Sequence, residues 1–406
     1  MIGSNPISVV LDPKRSTVEE WSVKLDRDIV APPSVGDDGT LYVPTDRALI
    51  AMNPDNAEVQ WQKEMKGLAM AASPLVTSEA VIVTTSEAPL VCLDRKDGQP
   101  QWSISKEDLP APPTGRIGAV SKDGVVYSEG WPGNVHLIKF DGQRGWTHYT
   151  RQNTGHHGGL AVGADDTIYQ ADGSITAIKD GNFLWSRGFP SYDGLHAGTR
   201  VTPTEDGLLF TTGNGKIRKM DTQGNTLWEF SGEAHQRLDQ MTAEQRESLS
   251  KRDSFALSST PVLSNDGTRI YAGSWDRTLF CLDAEGNELW SKQMQFPIAH
   301  SGVQVGPDDT VYAVGDQEGQ VYAMRPEDGS VLWNYTSDEK QTPSSLTLQG
   351  DRVILATRKG GLHALSSMGL LKALERDPAQ PDAPLPTIDL GDGVITVGDI
   401  ELDIRD

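Results

Sequence analysis

The chain has 406 residues, among them 41 glycines and 24 prolines, and a formal charge of −21 at pH 7. Nucleic acids and anionic membrane surfaces are held by lysine and arginine, so a balance this acidic argues against both as partners. No stretch reaches the roughly 18 apolar residues of a spanning helix, so direct membrane insertion is not expected either.

Residues 1–16 form an N-terminal arm without a long apolar run. With no signal peptide and no lipid-attachment cysteine, the chain as written is expected to be cytoplasmic. A periplasmic or envelope-associated protein is the alternative if a leader has been removed.

From residue 17 onward a repeat dominates. Trp21, Trp61, Trp102, Trp146, Trp185, Trp228, Trp290 and Trp333 follow one another at intervals of 40, 41, 44, 39, 43, 62 and 43 residues. A glycine stands four residues before most of them, at Gly98, Gly142, Gly181, Gly224, Gly286 and Gly329; Ala57 and Thr17 are the exceptions. The glycine reads as a tight turn between two strands, and the tryptophan as a ring covering the gap between neighbouring units. Upstream in each repeat lies an acidic turn followed by a β-branched and aromatic strand, as in Asp38-Gly39-Thr40-Leu41-Tyr42 and Asp308-Asp309-Thr310-Val311-Tyr312. A period near 40 with four strands per unit predicts an all-β, eight-bladed β-propeller of four-stranded antiparallel blades. The last repeat, Gly350 to Leu365, has no tryptophan of its own. Glu20-Trp21-Ser22-Val23 supplies one, so the N-terminal strand is expected to close the ring and remove the exposed sheet edges.

The single long interval carries an insertion at 231–256, between blades 5 and 6. Met241 to Leu249 reads as a short helix with Thr242 as N-cap. The propeller is expected to end at residue 374. A proline-rich linker follows at 375–387, and then a tail at 388–406 read as a β-hairpin. In that tail Ile400, Leu402 and Ile404 alternate with Asp399, Glu401 and Asp403. One apolar strand face needs cover, either from the propeller itself or from a partner by strand addition.

Cys92 and Cys281 hold the same place in two different blades, which favours two small buried side chains over a disulfide. Candidate binding residues fall on the loops around the mouth of the central channel. His157, His196 and His300 share a His-x-Gly-x-x-Val pattern. Histidines are zinc ligands, but these come from blades 4, 5 and 7 of a wide ring, so no metal site is expected. They read as a polar rim, a small-ligand site or hydrogen-bond partners of the loops. Trp131 and Trp275, the two tryptophans outside the repeat position, are expected in turns on the same face as interface anchors or as packing under loops.

These motifs resemble the pyrroloquinoline-quinone-like (PQQ-like) propeller repeat over about residues 17–367. That family includes quinoprotein dehydrogenases and the outer-membrane assembly lipoprotein BamB. The resemblance implies the propeller fold but not an activity. The dehydrogenases' adjacent cysteine pair is absent here, and no calcium cluster, nucleophile elbow or phosphate loop stands out. The chain is therefore expected to lack catalytic residues and cofactors, and to serve as an interaction scaffold with protein partners. A quinone- or metal-dependent oxidoreductase and a small-ligand or sugar-binding propeller are the alternatives.

Overall fold

The computed structural model describes residues 19–65, 73–85, 88, 90–105, 107–108, 116–128, 133–149, 159–171, 174–189, 201–212, 215–232, 242, 259–298, 302–315, 320–337, 344–350 and 352–366, with three short strands near the C-terminus. Eight four-stranded antiparallel sheets follow one another along the chain. Seven are built from consecutive strands and span residues 34–64, 75–104, 116–148, 159–188, 202–231, 262–293 and 303–336. The eighth takes three strands from 344–366 and its fourth, Glu19–Lys24, from the N-terminus. The first strands of successive blades approach one another, so they form the inner wall and the fourth strands the outer rim. The predicted eight-bladed ring and its closure by the N-terminal strand are both present. Among the described residues no helix is long and apolar enough to cross a membrane.

Burial explains why these strands read as they do. The second strand of blade 1, Leu41–Pro44, and the third, Ala48–Met52, are buried at every position. They lie between two neighbouring blades, so both faces are covered and the sequence is a continuous apolar run without alternation. The fourth strands, at the rim, are mostly exposed and polar. Inner strands are joined across the wall by hydroxyls that donate to the carbonyl of a proline in the next blade. Ser34 bonds Pro74 O at 2.6 Å, Thr202 bonds Pro261 O at 2.6 Å and Thr347 bonds Pro33 O at 2.7 Å. Cys92 and Cys281 are free and buried. Burial pushes their thiols up to about 11 and about 12 respectively.

Six of the repeated tryptophans bond one blade to the next. Trp61 of blade 1 donates its indole N–H to Arg95 O of blade 2 at 2.9 Å. The same bond joins Trp21 to Pro54 O, Trp102 to Phe140 O, Trp185 to Thr222 O, Trp228 to Ala284 O and Trp290 to Pro326 O, at 2.8–3.1 Å. The acceptor always lies in the turn between third and fourth strands of the following blade. The turn glycine has a second task beyond the chain reversal expected of it. Gly98, at φ +70°, lies under Trp61, where a Cβ would stand 2.6 Å from the ring. Gly142, Gly181, Gly224, Gly286 and Gly329 lie in the same way under the tryptophan of the preceding blade. A tyrosine of the second strand packs on the tryptophan within its own blade, as in Tyr42–Trp61 and Tyr312–Trp333, both 5.9 Å between ring centroids.

Each fourth strand carries a β-bulge beside its tryptophan. Trp61 pairs with Ala51 but Val59 with Met52, and Trp333 pairs with Ala323 but Val331 with Met324. The N-terminal strand repeats this register: Trp21 pairs with Ala364 and Glu19 with Leu365. A bulge twists an edge strand away from regular pairing, which protects eight outward-facing edges from adding further strands.

The tail differs from a two-stranded hairpin. Ile388–Asp389, Val394–Thr396 and Glu401–Leu402 form a three-stranded sheet in which Ile395 pairs with both Ile388 and Leu402. In sequence, Gly398-Asp399 stands between the last two of these strands. The helix predicted within 231–256 lies outside the described residues.

Candidate interaction surface

Antiparallel connectivity gives the ring two unlike faces. The turns between first and second strands and between third and fourth strands share one face. The turns between second and third strands and the blade-to-blade connections share the other, where the binding residues were predicted. Of those, Trp275 is described: it is half-buried, in the turn that follows Ser274, between the second and third strands of blade 6. His157, His196, His300 and Trp131 lie outside the described residues, as do Ile400 and Ile404. Leu402 lies in the last strand of the tail sheet.

The turn face is acidic and self-satisfied. Asp165 and Asp308 each accept from the threonine two residues on, and Asp165 also accepts from Lys179 Nζ at 2.9 Å. The Lys179 ammonium, with the bonds from Thr167, holds the Asp165 carboxyl below the usual range. The second aspartates of these turns, Asp166 and Asp309, have φ near +65° and reach across to the preceding blade. Asp166 accepts from the Lys122 amide and Asp309 from the Asn265 amide. Arg95, almost wholly buried, pairs with Asp37 and Asp38 of blade 1. Asp123, Asp166 and Asp180 bring one carboxylate oxygen each within 4.8 Å of the others, the one such acidic group among the described residues. Asp166 is already engaged by Lys122 through both amide and ammonium. These bonds tie the acidic turns to their own and the preceding blade.

Most of the exposed large apolar side chains among the described residues stand on the rim. Leu184, Leu227 and Leu289 stand immediately before Trp185, Trp228 and Trp290, at 47%, 50% and 49% exposure. Phe183, at 57%, stacks on His148 of blade 3, and Tyr149 beside it is 73% exposed. The corresponding places in blades 1, 2, 3 and 8 are held by Gln60, Gln101, Gly145 and Glu20. Leu332 holds the place in blade 7 and is half-buried, and Val59 on the outer strand of blade 1 is 47% exposed. Among the described residues, the exposed leucines before a tryptophan therefore fall in blades 4 to 6. The sequence carried a signal for them in the repeated Leu-Trp pair, which a search for chemical motifs passes over.

Three known proteins are similar to this chain in sequence or in fold. Outer membrane protein assembly factor BamB of Yersinia pestis is 21% identical over 344 residues, covering 80% of this chain and 69% of that protein. The crystal structure of BamB from Moraxella catarrhalis superposes with a TM-score of 0.57 at 15% identity, over 86% of this chain and 98% of that one. The quinohemoprotein alcohol dehydrogenase ADHIIG of Pseudomonas putida superposes at 0.65, also at 15% identity, over 93% and 80%. Structural likeness at such identity is shared by BamB and an alcohol dehydrogenase alike, so it speaks for the propeller alone. The sequence family is more specific: its matches cover residues 9–121, 132–260 and 236–373, and the chain belongs to the PQQ-like family described as outer membrane protein assembly factor BamB.

Proposed function

We propose that this propeller is a non-catalytic scaffold that holds protein partners during the assembly of outer membrane proteins, working in the periplasm or at the cell envelope. Membership of the family supports the setting. The observation that carries the interaction is the exposure of Tyr149, Phe183, Leu184, Leu227 and Leu289 on the rim of blades 3 to 6, against Val59 as the one other large apolar side chain exposed on a described outer strand. Large apolar residues clustered on an exposed arc are what a partner covers, and aromatic side chains dominate such contacts. A second contact is proposed at the residues expected from sequence at the channel mouth, His157, His196, His300, Trp131 and Trp275. The tail sheet, whose strands include Leu402, offers a third. The family relation favours the envelope over the cytoplasm suggested by the N-terminal arm.

The test is a triple substitution, Leu184→Glu, Leu227→Glu and Leu289→Glu, in the full chain. These side chains are half-exposed, so thermal stability should change little. Chemical cross-linking in envelope preparations should lose its adducts. Unchanged adducts at unchanged stability would remove this rim from the function.

A further inference from the structure

Among the described residues Trp146 and Trp333 make no indole bond to the next blade. Trp333 is 4% exposed, whereas Trp146 is half-buried and stands at the rim of blade 3. The turn of blade 4 explains Trp146. In the six bonded cases the acceptor is the first residue of a turn of three or four residues, as in Phe140-Asp141-Gly142. In blade 4 Lys179 pairs with Asn182, so the chain turns on Asp180 and Gly181 alone, at φ +51° and +78°. The Asp180 carbonyl accepts from the Asn182 side-chain amide at 3.2 Å. His148 meets the shortened turn instead: its Nδ1 donates to Gly181 O at 3.2 Å, and its ring stacks on Phe183.

Charge singles out the same junction. The outer strands of blades 3 and 4, Arg144–His148 and Asn182–Gly188, carry Arg144 and Arg187 and no carboxylate. Each of the other six outer strands carries either a glutamate or no charge at all. Arg144 is exposed and has no carboxylate partner among the described residues. The carboxylates of the junction, Asp123, Asp166 and Asp180, gather in turns on the turn face. In a chain of charge −21, this stretch of rim thus presents cations and an indole donor beside Tyr149 and Phe183, which are 73% and 57% exposed.

We propose that the partner segment seated between blades 3 and 4 is both acidic and apolar. A carboxylate meets Arg144, an oxygen of the segment accepts from the Trp146 indole, and large apolar side chains cover Tyr149 and Phe183. The proposal rests on the reading of the rim as the partner-binding surface, and names the chemistry of what it binds. Indole and guanidinium groups only donate, so their complement must accept. Phosphates of a nucleic acid or an anionic bilayer accept too, but those surfaces are held by many cations together, which this acidic ring does not offer.

The experiment places the photo-crosslinking residue p-benzoylphenylalanine at position 149 of the full chain, irradiates envelope preparations, and identifies the captured peptide by mass spectrometry. The captured segment should carry Asp or Glu beside large apolar residues. Arg144→Glu should cut the adduct about tenfold at low ionic strength, and salt at about 0.5 M should do the same to the unsubstituted rim. Its melting temperature should stay unchanged, because the guanidinium is exposed. Trp146→Phe, which keeps a ring and removes the donor, should lower the yield several-fold. A basic captured segment, a lipid adduct, an adduct with this chain's own tail or with a second copy, or a yield unmoved by Arg144→Glu would overturn the proposal. If Leu184→Glu, Leu227→Glu and Leu289→Glu together abolish an adduct that Arg144→Glu leaves intact, the acidic partner fails while the rim stands as the binding surface. No adduct from position 149 would overturn both.

Discussion

The sharpest consequence of the tryptophan–glycine contact is a difference between two alanine substitutions. Gly224 and Gly267 both sit in turns with positive φ, +81° and +71°. A Cβ on Gly267 meets nothing within 4 Å, whereas one on Gly224 stands 2.8 Å from two ring atoms of Trp185. Left-handed backbone costs a non-glycine residue roughly 1–2 kcal/mol, and Gly267→Ala should lose about that much. Gly224→Ala adds an overpacked contact, for which roughly 1–3 kcal/mol is usual. The protein itself indicates that the lower part of that range applies: Ala57 holds the glycine's place at φ +59°, packed in the same cluster as Trp21, so an indole can shift to admit a methyl group. Gly224→Ala should therefore exceed Gly267→Ala by about 1 kcal/mol, read as a lower unfolding temperature in calorimetry. Equal losses in the two variants would show that the contact with Trp185 carries no stability.

Three further outcomes follow from the same structure. Serine and threonine bonds hold Asp266 down to about 2, beginning with the Ser264 hydroxyl, and Lys219 holds Asp206 below its usual range. Groups whose folded pKa is depressed stabilise above their unfolded value near 4 and lose that contribution as pH falls through the folded one. Stability should thus decline between about pH 4 and pH 2, and a melting temperature flat over that window would contradict the turn bonds. Cys92 and Cys281 should resist a thiol reagent at pH 8 in the native protein and react at once in denaturant; rapid native labelling would mean that they are not buried as described. Deleting residues 1–25 should open the ring, since it removes Trp21 and the Glu20 partner of Arg352. A truncated chain that melts like the intact one would refute closure by the N-terminal strand.

The ring was legible in the sequence because its defining contact leaves a large, rare residue once per blade. The absent eighth tryptophan after Leu365 pointed to Trp21 for the same reason. What the spacing hid was partnership. Gly98 and Trp102 lie four residues apart, yet Gly98 serves Trp61, a blade away, and Trp102 rests on Gly142. Proximity in sequence reports the turn, while the packing runs one repeat out of step. The bulge beside each tryptophan was hidden too, because a one-residue register shift changes pairing and not composition. The tail's third strand was missed because Gly398-Asp399 interrupts an alternation that otherwise reads as one strand. For the candidate site, the prediction looked to the channel mouth. The rim residues Leu184, Leu227 and Leu289 read as ordinary strand hydrophobics, and only exposure distinguishes them.

The closing strand also frees the ring from any particular beginning. Glu19 and Leu365 are paired neighbours, so the two ends of the propeller lie side by side. Residues 233–258 stand in sequence between the outer strand of blade 5 and the approach of blade 6. A gene rearranged to start at blade 6, run through a short joint between residues 366 and 19, and finish at blade 5 would encode the same eight blades with the seam moved. Circular order, rather than the position of the first codon, is what the fold reads.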